Sequence, residues 1–427
     1  RLQDPAALGL IESEIGALAS AYLVGAVAGA LGFGWLTDRY GRKLIFFITL
    51  GIYVVGVLLS AFAWDFWSLA FCRFITGIGI GGEYAAVNSA IDELIPARLR
   101  GRVALIVNGS FWGGAALGSL ATVFLLDTGI FGIDLGWRLG FGIGGVLGLL
   151  ILFTRRFVPE SPRWLACHDR VDEGERVVAE IEKEVERETG ARLEPVSEKL
   201  TIHPAKTFGF ALIFGAMFGQ YRGRSALVLL LMVAQAFLYN AIFFSYGLVL
   251  TKFYAVPATH VGLYLVPFAI GNLIGPIVLG PFFDSVGRRK MIFLSYGLSG
   301  VLLLITGYLF AIGVLTAVTE TAAWCVIFFF ASAAASSAYL TASEVFPLEV
   351  RALAIAAFYA VGTALGGVVA PYLFGLLIGG GQPWPIFWGY AGAAMLMIVA
   401  GVAALLYGID AEGKSLESIA APLSQAA

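Results

Sequence analysis

Two charged side chains lie within one otherwise apolar stretch of the chain. Arg73 and Glu83 both occur in residues 66–92. A charge inside a membrane-spanning helix is costly unless it is paired or hydrated, so such residues are candidate functional sites. Burial would favour the protonated form of Glu83, which could then carry a proton. The alternatives are an Arg73 side chain that reaches the membrane interface and a structural hydrogen bond for Glu83.

Carboxamide side chains also occur inside apolar stretches, at Asn108, Gln235, Asn240 and Asn272. A buried amide needs a hydrogen-bond partner, which is either a neighbouring helix or a solute in a cavity. Tyr339 could add an aromatic face with a hydroxyl group. From each residue alone, a contact between helices and a contact with a solute both remain open.

The composition excludes an ordinary soluble domain. Of the 427 residues, 59% are hydrophobic and only 13% are charged, whereas soluble domains carry about a quarter charged residues. The few cysteines and histidines show no spacing typical of a disulfide framework or a metal site; they are Cys72, Cys167, Cys325, His168, His203 and His260. We expect no cofactor, no metal and no nucleic-acid partner.

Eleven stretches are long and apolar enough for a helix of about 20 residues to cross the bilayer core. They lie at 14–36, 44–64, 66–92, 102–126, 136–156, 225–252, 259–283, 291–314, 322–346, 350–378 and 385–408. If the loops alternate sides, nearly all lysines and arginines outside the helices fall on one side, which is then cytoplasmic. This predicts an integral, multi-pass protein of the plasma (cell inner) membrane.

The segment 155–224 is the one long polar stretch, and it separates five spans from six. Within it, Val178, Ile181 and Val185 are spaced as on one face of a helix. This pattern predicts an amphipathic helix that packs against the cytoplasmic ends of the other helices. We place the linker at 157–224 and a cytoplasmic tail at 409–427.

An internal repeat relates the two apolar parts of the chain. The motif around Asp38 recurs around Asp284, 246 residues later, and the Glu-x-x-Pro-x-x-x-Arg element at Glu93 recurs at Glu344, 251 residues later. Both copies lie on the basic side, so the repeat is parallel. Two parallel six-helix halves are a known transporter plan, with the substrate site between the halves near the membrane midplane.

The repeat also predicts the division of the chain into 1–156 and 225–408. The first copy of the motif follows one span, whereas the second follows two spans after the linker. We therefore expect a further helix before residue 1, so that the visible spans correspond to helices 2–6 and 7–12 of the full arrangement.

These motifs resemble the major facilitator superfamily. Residues 34–43 resemble its signature loop between the second and third helices, and residues 159–165 (PESPRWL), Trp137-Arg138 and Ser415-Leu416-Glu417 resemble the sugar porter branch. The resemblance runs from about residue 14 to residue 420. It implies an all-α polytopic fold of two six-helix bundles, with the first helix absent from this chain.

The resemblance also implies a substrate site. Gln235, Asn240 and Asn272 match family amides that bind sugar, Asn108 stands where the family usually has glutamine, and Tyr339 replaces a tryptophan. Departures are Ala234, Gly362 and Gly366, where the family has polar residues. The run Gly81-Gly82-Glu83-Tyr84 is more similar to phosphate and organic-acid symporters of the superfamily. A small polar solute is implied, but not specifically a hexose.

In proton-coupled members the arginine that matches Arg73 pairs with an aspartate on the first helix. The resemblance implies that Arg73 and Glu83 couple transport to protons. It also implies a cytoplasmic gate of salt bridges, in which Asp38 meets a helix N-terminus or Arg100 and Asp284 likewise meets Arg351. Its predicted members are Asp38, Arg39, Gly41, Arg42, Glu93, Arg100, Glu160, Arg163, Asp284, Gly287, Arg288, Glu344 and Arg351.

We therefore predict a monomeric secondary active transporter that takes up a sugar or an organic acid with protons, by alternating access in the lipid bilayer. A facilitative uniporter and a nutrient sensor on a transporter fold are the alternatives. Export is disfavoured, because Gly113-Gly114 stands where drug antiporters often have Gly-Pro. An enzyme is not expected, because no helix carries a nucleophile with a base.

Overall fold

The computed structural model describes residues 2, 4–126, 128–154, 159–190, 214–257, 260–347 and 350–421, and within these ranges the regular structure is helical. The α-helices are α1 (Glu12–Tyr40), α2 (Arg42–Ser60), α3 (Phe66–Leu94), α4 (Arg100–Gly109), α5 (Phe111–Leu125), α6 (Thr128–Thr154), α7 (Pro162–Cys167), α8 (Val171–Thr189), α9 (Arg222–Phe253), α10 (Val261–Ser285), α11 (Arg288–Ala311), α12 (Ala317–Glu344), α13 (Arg351–Gly362), α14 (Val369–Gly379), α15 (Pro383–Tyr407) and α16 (Leu416–Ile419). Short π-helices occupy Ala216–Gln220 and Thr363–Val368.

Most of the predicted membrane spans are confirmed as long apolar helices. Within the described residues, 10 helical segments are long and apolar enough to cross a membrane, counting α4 with α5 and α13 with α14 as continuous segments. The remaining predicted span, 66–92, is helix α3, which Arg73 and Glu83 make more polar than the others. Large apolar side chains such as Leu117 and Leu376 are exposed on the outside of the helices. The chain is an integral, multi-pass membrane protein.

Helix α3 is held in the first half by glycine contacts. A Cβ atom at Gly77 or Gly81 would collide with the backbone of α1, and one at Gly25 or Gly29 of α1 would collide with the backbone of α3. A Cβ atom at Gly79 would collide with α2 on another side of the same helix. Small residues allow this close approach between membrane helices. The side chains of Arg73 and Glu83 are thus carried by a helix packed between two neighbours.

The internal repeat is visible in the backbone. Gly41 joins α1 to α2 with φ 100° and ψ 159°, and Gly287 joins α10 to α11 with φ 110° and ψ 152°. Helices α3 and α12 both begin with a capping box, at Asp65 and at Thr316. Positions 65 and 316 are separated by the same 251 residues as Glu93 and Glu344. Equivalent positions in the two halves therefore adopt equivalent local geometry.

The linker forms the predicted amphipathic helix, but the predicted packing of its apolar stripe against the other helices is wrong. Helix α8 forms as predicted, but Val178, Ile181 and Val185 remain more than a third exposed. The start of α8 packs on α7, where Gly174 approaches the carbonyl of Pro162. The apolar stripe is too short and too interrupted by glutamates to bury itself on the helix bundle. Parts of the predicted linker, at 157–158 and 191–213, lie outside the described residues.

Candidate functional site

A cavity of about 780 Å³ lies between the two halves. The first half contributes side chains from α1 to α6, and the second half contributes side chains from α9, α12, α13 and the π-helix that follows α13. Five of the predicted binding and coupling residues line it: Arg73, Asn108, Gln235, Asn240 and Tyr339. The tertiary structure therefore brings together residues that are separated by up to 266 positions in the sequence.

The amides in the cavity are already partly engaged by the protein. The amide nitrogen of Asn108 donates to Asn88 Oδ1 at 2.9 Å and to the carbonyl of Ala104 at 2.9 Å. The amide nitrogen of Asn240 donates to the carbonyl of Ala236 at 2.6 Å. These bonds use both N–H groups of Asn108 and one of the two N–H groups of Asn240, so Asn108 offers a solute its oxygen and Asn240 offers its oxygen and one N–H.

Three tyrosines form a stack across the boundary between the halves. Tyr84 of α3 lies 5.4 Å from Tyr339 of α12 and 5.1 Å from Tyr359 of α13, measured between ring centroids. All three line the cavity. Of these three tyrosines, the sequence predicted only Tyr339 as a binding residue, because a single tyrosine in an apolar helix gives no sign of its partners. Stacked aromatic pairs add about 0.5–1.5 kcal/mol beyond their burial.

Asn272 is not among the lining residues of this cavity. The Asn272 side chain is fully buried; its oxygen accepts a hydrogen bond from Tyr239 at 2.8 Å, and its nitrogen donates to the carbonyl of Phe268 at 3.0 Å. Tyr239 does line the cavity, where it lies beside Trp112. The structure therefore places Asn272 behind the cavity wall and not in it, where it holds the Tyr239 hydroxyl in place.

Arg73 has an unusual environment for a membrane arginine. Its guanidinium lies over the ring of Phe141 at 4.7 Å and near the ring of Tyr22 at 5.9 Å. It approaches the hydroxyls of Ser60 and Thr76 at 3.5 Å, and its Nε is buried without a hydrogen-bond partner among the described residues. Within that part of the chain no carboxylate forms an ion pair with Arg73, so the charge is held by aromatic faces and weak hydroxyl contacts.

Glu83 directly precedes Tyr84 of the tyrosine stack but is not among the lining residues of the cavity. It is half-buried and interacts electrostatically with Tyr22 and Tyr53, which do line the cavity. Its predicted role as a proton carrier therefore remains a prediction. Any proton on Glu83 would act on the solute through these tyrosines rather than by direct contact.

Further along α3 and α12 than the lining residues Tyr84 and Tyr339 lies a group of charged side chains. We call it the inner cluster, and all its members except the partly exposed Asp284 are buried: Asp38, Arg42, Glu93, Arg100, Asp284, Arg288, Glu344 and Arg351. In its first part, Arg42 binds Glu93 at 2.9 Å and Asp38 at 3.4 Å. In its second part, Arg288 binds Glu344 at 2.9 Å and Asp284 at 2.9 Å. The two parts repeat each other, as the sequence repeat predicts.

The two parts of the inner cluster also bind each other. Arg351 of the second half lies 3.5 Å from Glu93 of the first, and Arg100 of the first half lies 3.4 Å from Glu344 of the second. Of the two predicted partners of each aspartate, the helix N-terminus is the one observed, and the alternative pairs of Asp38 with Arg100 and of Asp284 with Arg351 are absent from the described residues. The arginines bind the glutamates instead, because each aspartate is occupied by a helix N-terminus.

Each aspartate caps a helix of the opposite half. Asp38 accepts a hydrogen bond from the amide of Leu353 in the first turn of α13, at 3.0 Å. Asp284 accepts hydrogen bonds from the amides of Gly101 and Arg102 in the first turn of α4, at 3.0 and 2.8 Å. A carboxylate satisfies the free amides and the positive end of the helix dipole. These contacts cross the boundary between the halves, so they must break if the halves separate here.

Arg39 does not belong to the inner cluster. Its side chain is exposed and lies over the rings of Trp35 and Tyr40. Its predicted membership is therefore corrected. Arg39 follows Asp38 directly, so it points away from the face of α1 that meets the second half.

A salt bridge between the linker and the tail adds a further contact on the same side. Arg163 binds Glu417 at 2.6 Å and the carbonyl of Glu93 at 2.5 Å, which ties the linker to the tail. Burial on its own would raise the pKa of Glu417, but the Arg163 guanidinium outweighs burial and holds that pKa below its ordinary value. This pair therefore stabilises the folded chain at neutral pH, and its contribution is lost as the pH falls through the lowered pKa.

Glu160 caps the N-terminus of α2. Its carboxylate accepts hydrogen bonds from the amides of Arg42 at 2.9 Å and Lys43 at 3.2 Å. A Cβ atom at Gly41 would collide with this carboxylate. Glu412 stands in the same relation to Gly287, where it accepts a hydrogen bond from the amide of Arg288 at 3.3 Å. The two predicted glycines are thus required both by their positive φ and by a close carboxylate.

We expect Gly41→Ala to lower the melting temperature of the purified protein. Gly41 has φ 100° and ψ 159°, a conformation that is essentially limited to glycine and costs another residue about 1–3 kcal/mol, and the added Cβ would displace Glu160. Gly51→Ala on α2 is the matched control, because open space surrounds a Cβ there and alanine favours helix. Equal melting temperatures for the two variants would contradict this role of Gly41.

The comparisons with known proteins agree with this architecture. Residues 4–421 match the family model described as "Sugar (and other) transporter". The niacin transporter NiaP of Acinetobacter baylyi is 30% identical, with 96% of this chain and 88% of that protein aligned. The 4-hydroxybenzoate transporter PcaK of Pseudomonas aeruginosa is 27% identical over 87% of this chain and 79% of its own length.

The solved structures are similar as well. The proton:xylose symporter XylE superposes with a TM-score of 0.77 at 19% identity, covering 96% of this chain and 90% of its own. At that identity the likeness shows the fold, which is the major facilitator arrangement of two helical halves around a central cavity. Its fold is therefore the major facilitator fold. The chain belongs to the sugar (and other) transporter family, and it is a transporter rather than an enzyme.

Proposed function

We propose that this transporter takes up a planar aromatic monocarboxylate together with protons, across the cell inner membrane. The observation that carries the proposal is the cavity between the halves, whose walls are aromatic and whose one lining cation among the described residues is Arg73. A guanidinium binds a carboxylate through charge-assisted hydrogen bonds. The solute is thus an anion with an apolar, ring-shaped body.

The aromatic walls support a ring-shaped solute over a sugar. Tyrosines 22, 53, 84, 239, 339 and 359 line the cavity with Phe111, Trp112, Phe141 and Phe243. A flat ring can stack on such faces, whereas a sugar needs many donors and acceptors for its hydroxyls.

The amide groups available for hydrogen bonding also favour an aromatic acid over a sugar. The protein uses both N–H groups of Asn108 and one of the two N–H groups of Asn240. Ala234, Gly362 and Gly366 stand at positions where the family has polar side chains. Gly362 and Gly366 let α9 pack closely against the helical segment 351–379, because a Cβ there would crowd Met232 and Ala236. Close packing at these positions leaves no room for the missing amides.

The relatives support this solute class. Two of them are named for niacin and for 4-hydroxybenzoate, and both compounds are planar rings with a single carboxylate. Other relatives are named for xylose and inositol, so the family alone does not decide the solute. The cavity lining is the reason for choosing the aromatic acid.

Proton coupling follows from the charge of the solute. An inside-negative membrane opposes the entry of an anion by about 2.3 kcal/mol per 100 mV. Uptake against this potential requires a co-transported cation, and a proton is the simplest. Arg73 and Glu83 are the proposed coupling residues. Arg73 can release the carboxylate of the solute and bind another anion in its place. Glu83 can carry the proton beside the tyrosines.

The structure fits one state of an alternating-access cycle. The inner cluster closes the cytoplasmic end of the cavity, while the cavity reaches Leu18 and Leu69 near the opposite ends of α1 and α3. In our proposal the solute enters from outside, and the cross-half contacts of Asp38 and Asp284 break when it is released inside. The linker and the tail then lie in the cytoplasm.

The test is uptake into proteoliposomes with four matched solutes, with and without an imposed pH gradient. Nicotinate should accumulate when the outside is acidic. Nicotinamide lacks the charge, cyclohexanecarboxylate lacks the aromatic ring, and xylose lacks both, so each should accumulate less. Preference for xylose would support the sugar alternative, and an uptake rate that does not depend on the pH gradient would support a uniporter. Failure to accumulate any solute would count against transport and favour a sensor.

We expect Tyr339→Leu to weaken solute binding about 2- to 10-fold, because an aromatic contact of about 0.5–1.5 kcal/mol is lost. Tyr339→Phe should retain most of the affinity, since the ring remains. Tyr407→Leu is the control, because Tyr407 is exposed at the end of α15. Quenching of tryptophan fluorescence by nicotinate would measure the affinity, and equal affinities for Tyr339→Leu and the control would exclude stacking.

A further inference from the structure

A buried acid in the second half is unused by the proposed transport site. Glu320 lies in the first turn of α12, and its side chain is fully buried. It is not among the lining residues of the cavity. The end of α12 that carries it is opposite the inner cluster, because Glu344 ends the same helix.

The contacts of Glu320 are with neutral groups. Tyr254, which ends α9, donates a hydrogen bond from its hydroxyl to Glu320 Oε2 at 3.2 Å. Glu320 Oε1 has no hydrogen-bond partner among the described residues, and neither has the buried hydroxyl of Tyr390 on α15. Within the same residues no arginine, lysine or histidine forms an ion pair with Glu320. A lone ionised carboxylate is costly in such a site, so the neutral acid is favoured.

Other ionisable groups on the helices around Glu320 are bonded elsewhere or exposed. The hydroxyl of Tyr246 on α9 is engaged with the Tyr264 carbonyl of α10 at 2.8 Å and with Thr321 at 3.2 Å. The ammonium of Lys252 binds the carbonyl of Gly379 at 2.9 Å. His260 at the start of α10 is exposed, and α11 contributes Phe310, which packs on Tyr254.

Neither helix capping nor the fold accounts for a carboxyl at this position. The N-terminus of α12 is already capped by Thr316 and Thr319, which form a reciprocal capping box. The equivalent position in the first half, 251 residues earlier, is Leu69, which is also buried. An apolar side chain therefore satisfies the same place in the architecture, and the acid of the second half needs another explanation.

We propose that Glu320 is a proton-binding site of the second half, supplied from the outer side and separate from the solute cavity. The bound proton keeps the carboxyl neutral, and the Tyr254 hydrogen bond then holds the outer end of α9 against the outer end of α12. Loss of the proton leaves a buried carboxylate that forms no ion pair among the described residues, and the cost of burying this charge destabilises the packing of the outer ends of α9 and α12. This inference does not rest on the identity of the solute.

The test is the melting temperature of the purified protein without solute, measured from about pH 6 to about pH 9, a range that spans the titration of a carboxyl stabilised in its neutral form. The wild-type protein should lose several degrees as the pH rises, and Glu320→Gln should lose much less, because glutamine is neutral throughout. Glu182→Gln, on the exposed face of α8, should behave as the wild type.

A second measurement identifies the proton directly. Infrared spectra of the wild type at the lower pH should contain the carbonyl stretch of a protonated carboxyl that is missing from Glu320→Gln and from Glu320→Leu. The leucine variant copies the Leu69 position, so it should fold even if glutamine does not. Equal pH dependence in the wild type and both variants, or no difference in the infrared band, would overturn the proposal.

Discussion

Replacement of Arg73 by glutamine is expected to reduce nicotinate uptake about 10- to 100-fold. A hydrogen bond to a charged group contributes about 1.5–3 kcal/mol, and each 1.4 kcal/mol corresponds to about a tenfold change in affinity. The loss should be specific for charge, so the preference for nicotinate over nicotinamide should disappear. Uptake under an imposed pH gradient measures both effects.

Two variants separate binding from folding. Arg73→Lys keeps the charge but lacks the planar fork that matches a carboxylate, so it should recover only part of the uptake. Arg170→Gln removes an exposed arginine of the linker and should transport as the wild type. If Arg73→Gln keeps the preference for nicotinate at an unchanged melting temperature, Arg73 does not bind the carboxylate.

Replacement of Glu344 by glutamine is expected to open the inner side of the transporter. Glu344 is buried between Arg100 of the first half and Arg288 of the second. Loss of one partner from a buried ion pair costs about 3–5 kcal/mol because it leaves an uncompensated charge. Arg288 retains Asp284, but Arg100 has no other ion pair among the described residues. The state with closed inner ends should therefore lose most of its population.

The measurement is the distance between spin labels on the inner ends of the two halves. In Glu344→Gln the distribution should shift to longer distances, and uptake should fall because the cycle no longer returns to the closed inner side. Arg39→Gln is the matched control, since Arg39 lies beside Asp38 in sequence but outside the inner cluster. A distribution unchanged from wild type in Glu344→Gln would show that the cluster is structural and does not gate.

The two variants act at opposite ends of the cavity, so their effects are distinguishable. Arg73→Gln should change which solute is bound and leave the label distances unchanged. Glu344→Gln should change the distances and leave the preference among solutes unchanged. The sites are separated along different helices and share no contact partner, so their free-energy changes should add.

Much of the architecture was predictable because it depends on local sequence. Membrane helices are apolar over about 20 residues, and the repeated motifs at Asp38 and Asp284 mark equivalent turns in both halves. The glycines at 41 and 287 have nearly the same φ and ψ, which the repeat leads one to expect. The hydropathy pattern predicted the apolar stripe of α8 but not its exposure, because periodicity shows which face of a helix is apolar and not what covers that face.

The partners of the functional residues were decided by the tertiary structure. The repeat identified Asp38, Asp284, Glu93 and Glu344, and a helix N-terminus was one of the two expected partners of each aspartate. The sequence could not decide between the two partners, nor show that the capped helix belongs to the other half and that the arginines bind the glutamates. Asn272 was assigned to the cavity by its position in the family pattern, whereas the fold turns it toward Tyr239.

By itself, the sequence determined that this protein has two repeated helical halves in a membrane, with charges gathered at one end and a few polar side chains inside. Only the tertiary structure decided that Tyr84, Tyr339 and Tyr359 form one stack and that Arg73 faces the cavity beside aromatic rings. The physical reason is that hydrophobic length and turn chemistry are properties of neighbouring residues. Contacts such as Arg100 with Glu344, 244 residues apart, depend on how separate helices pack.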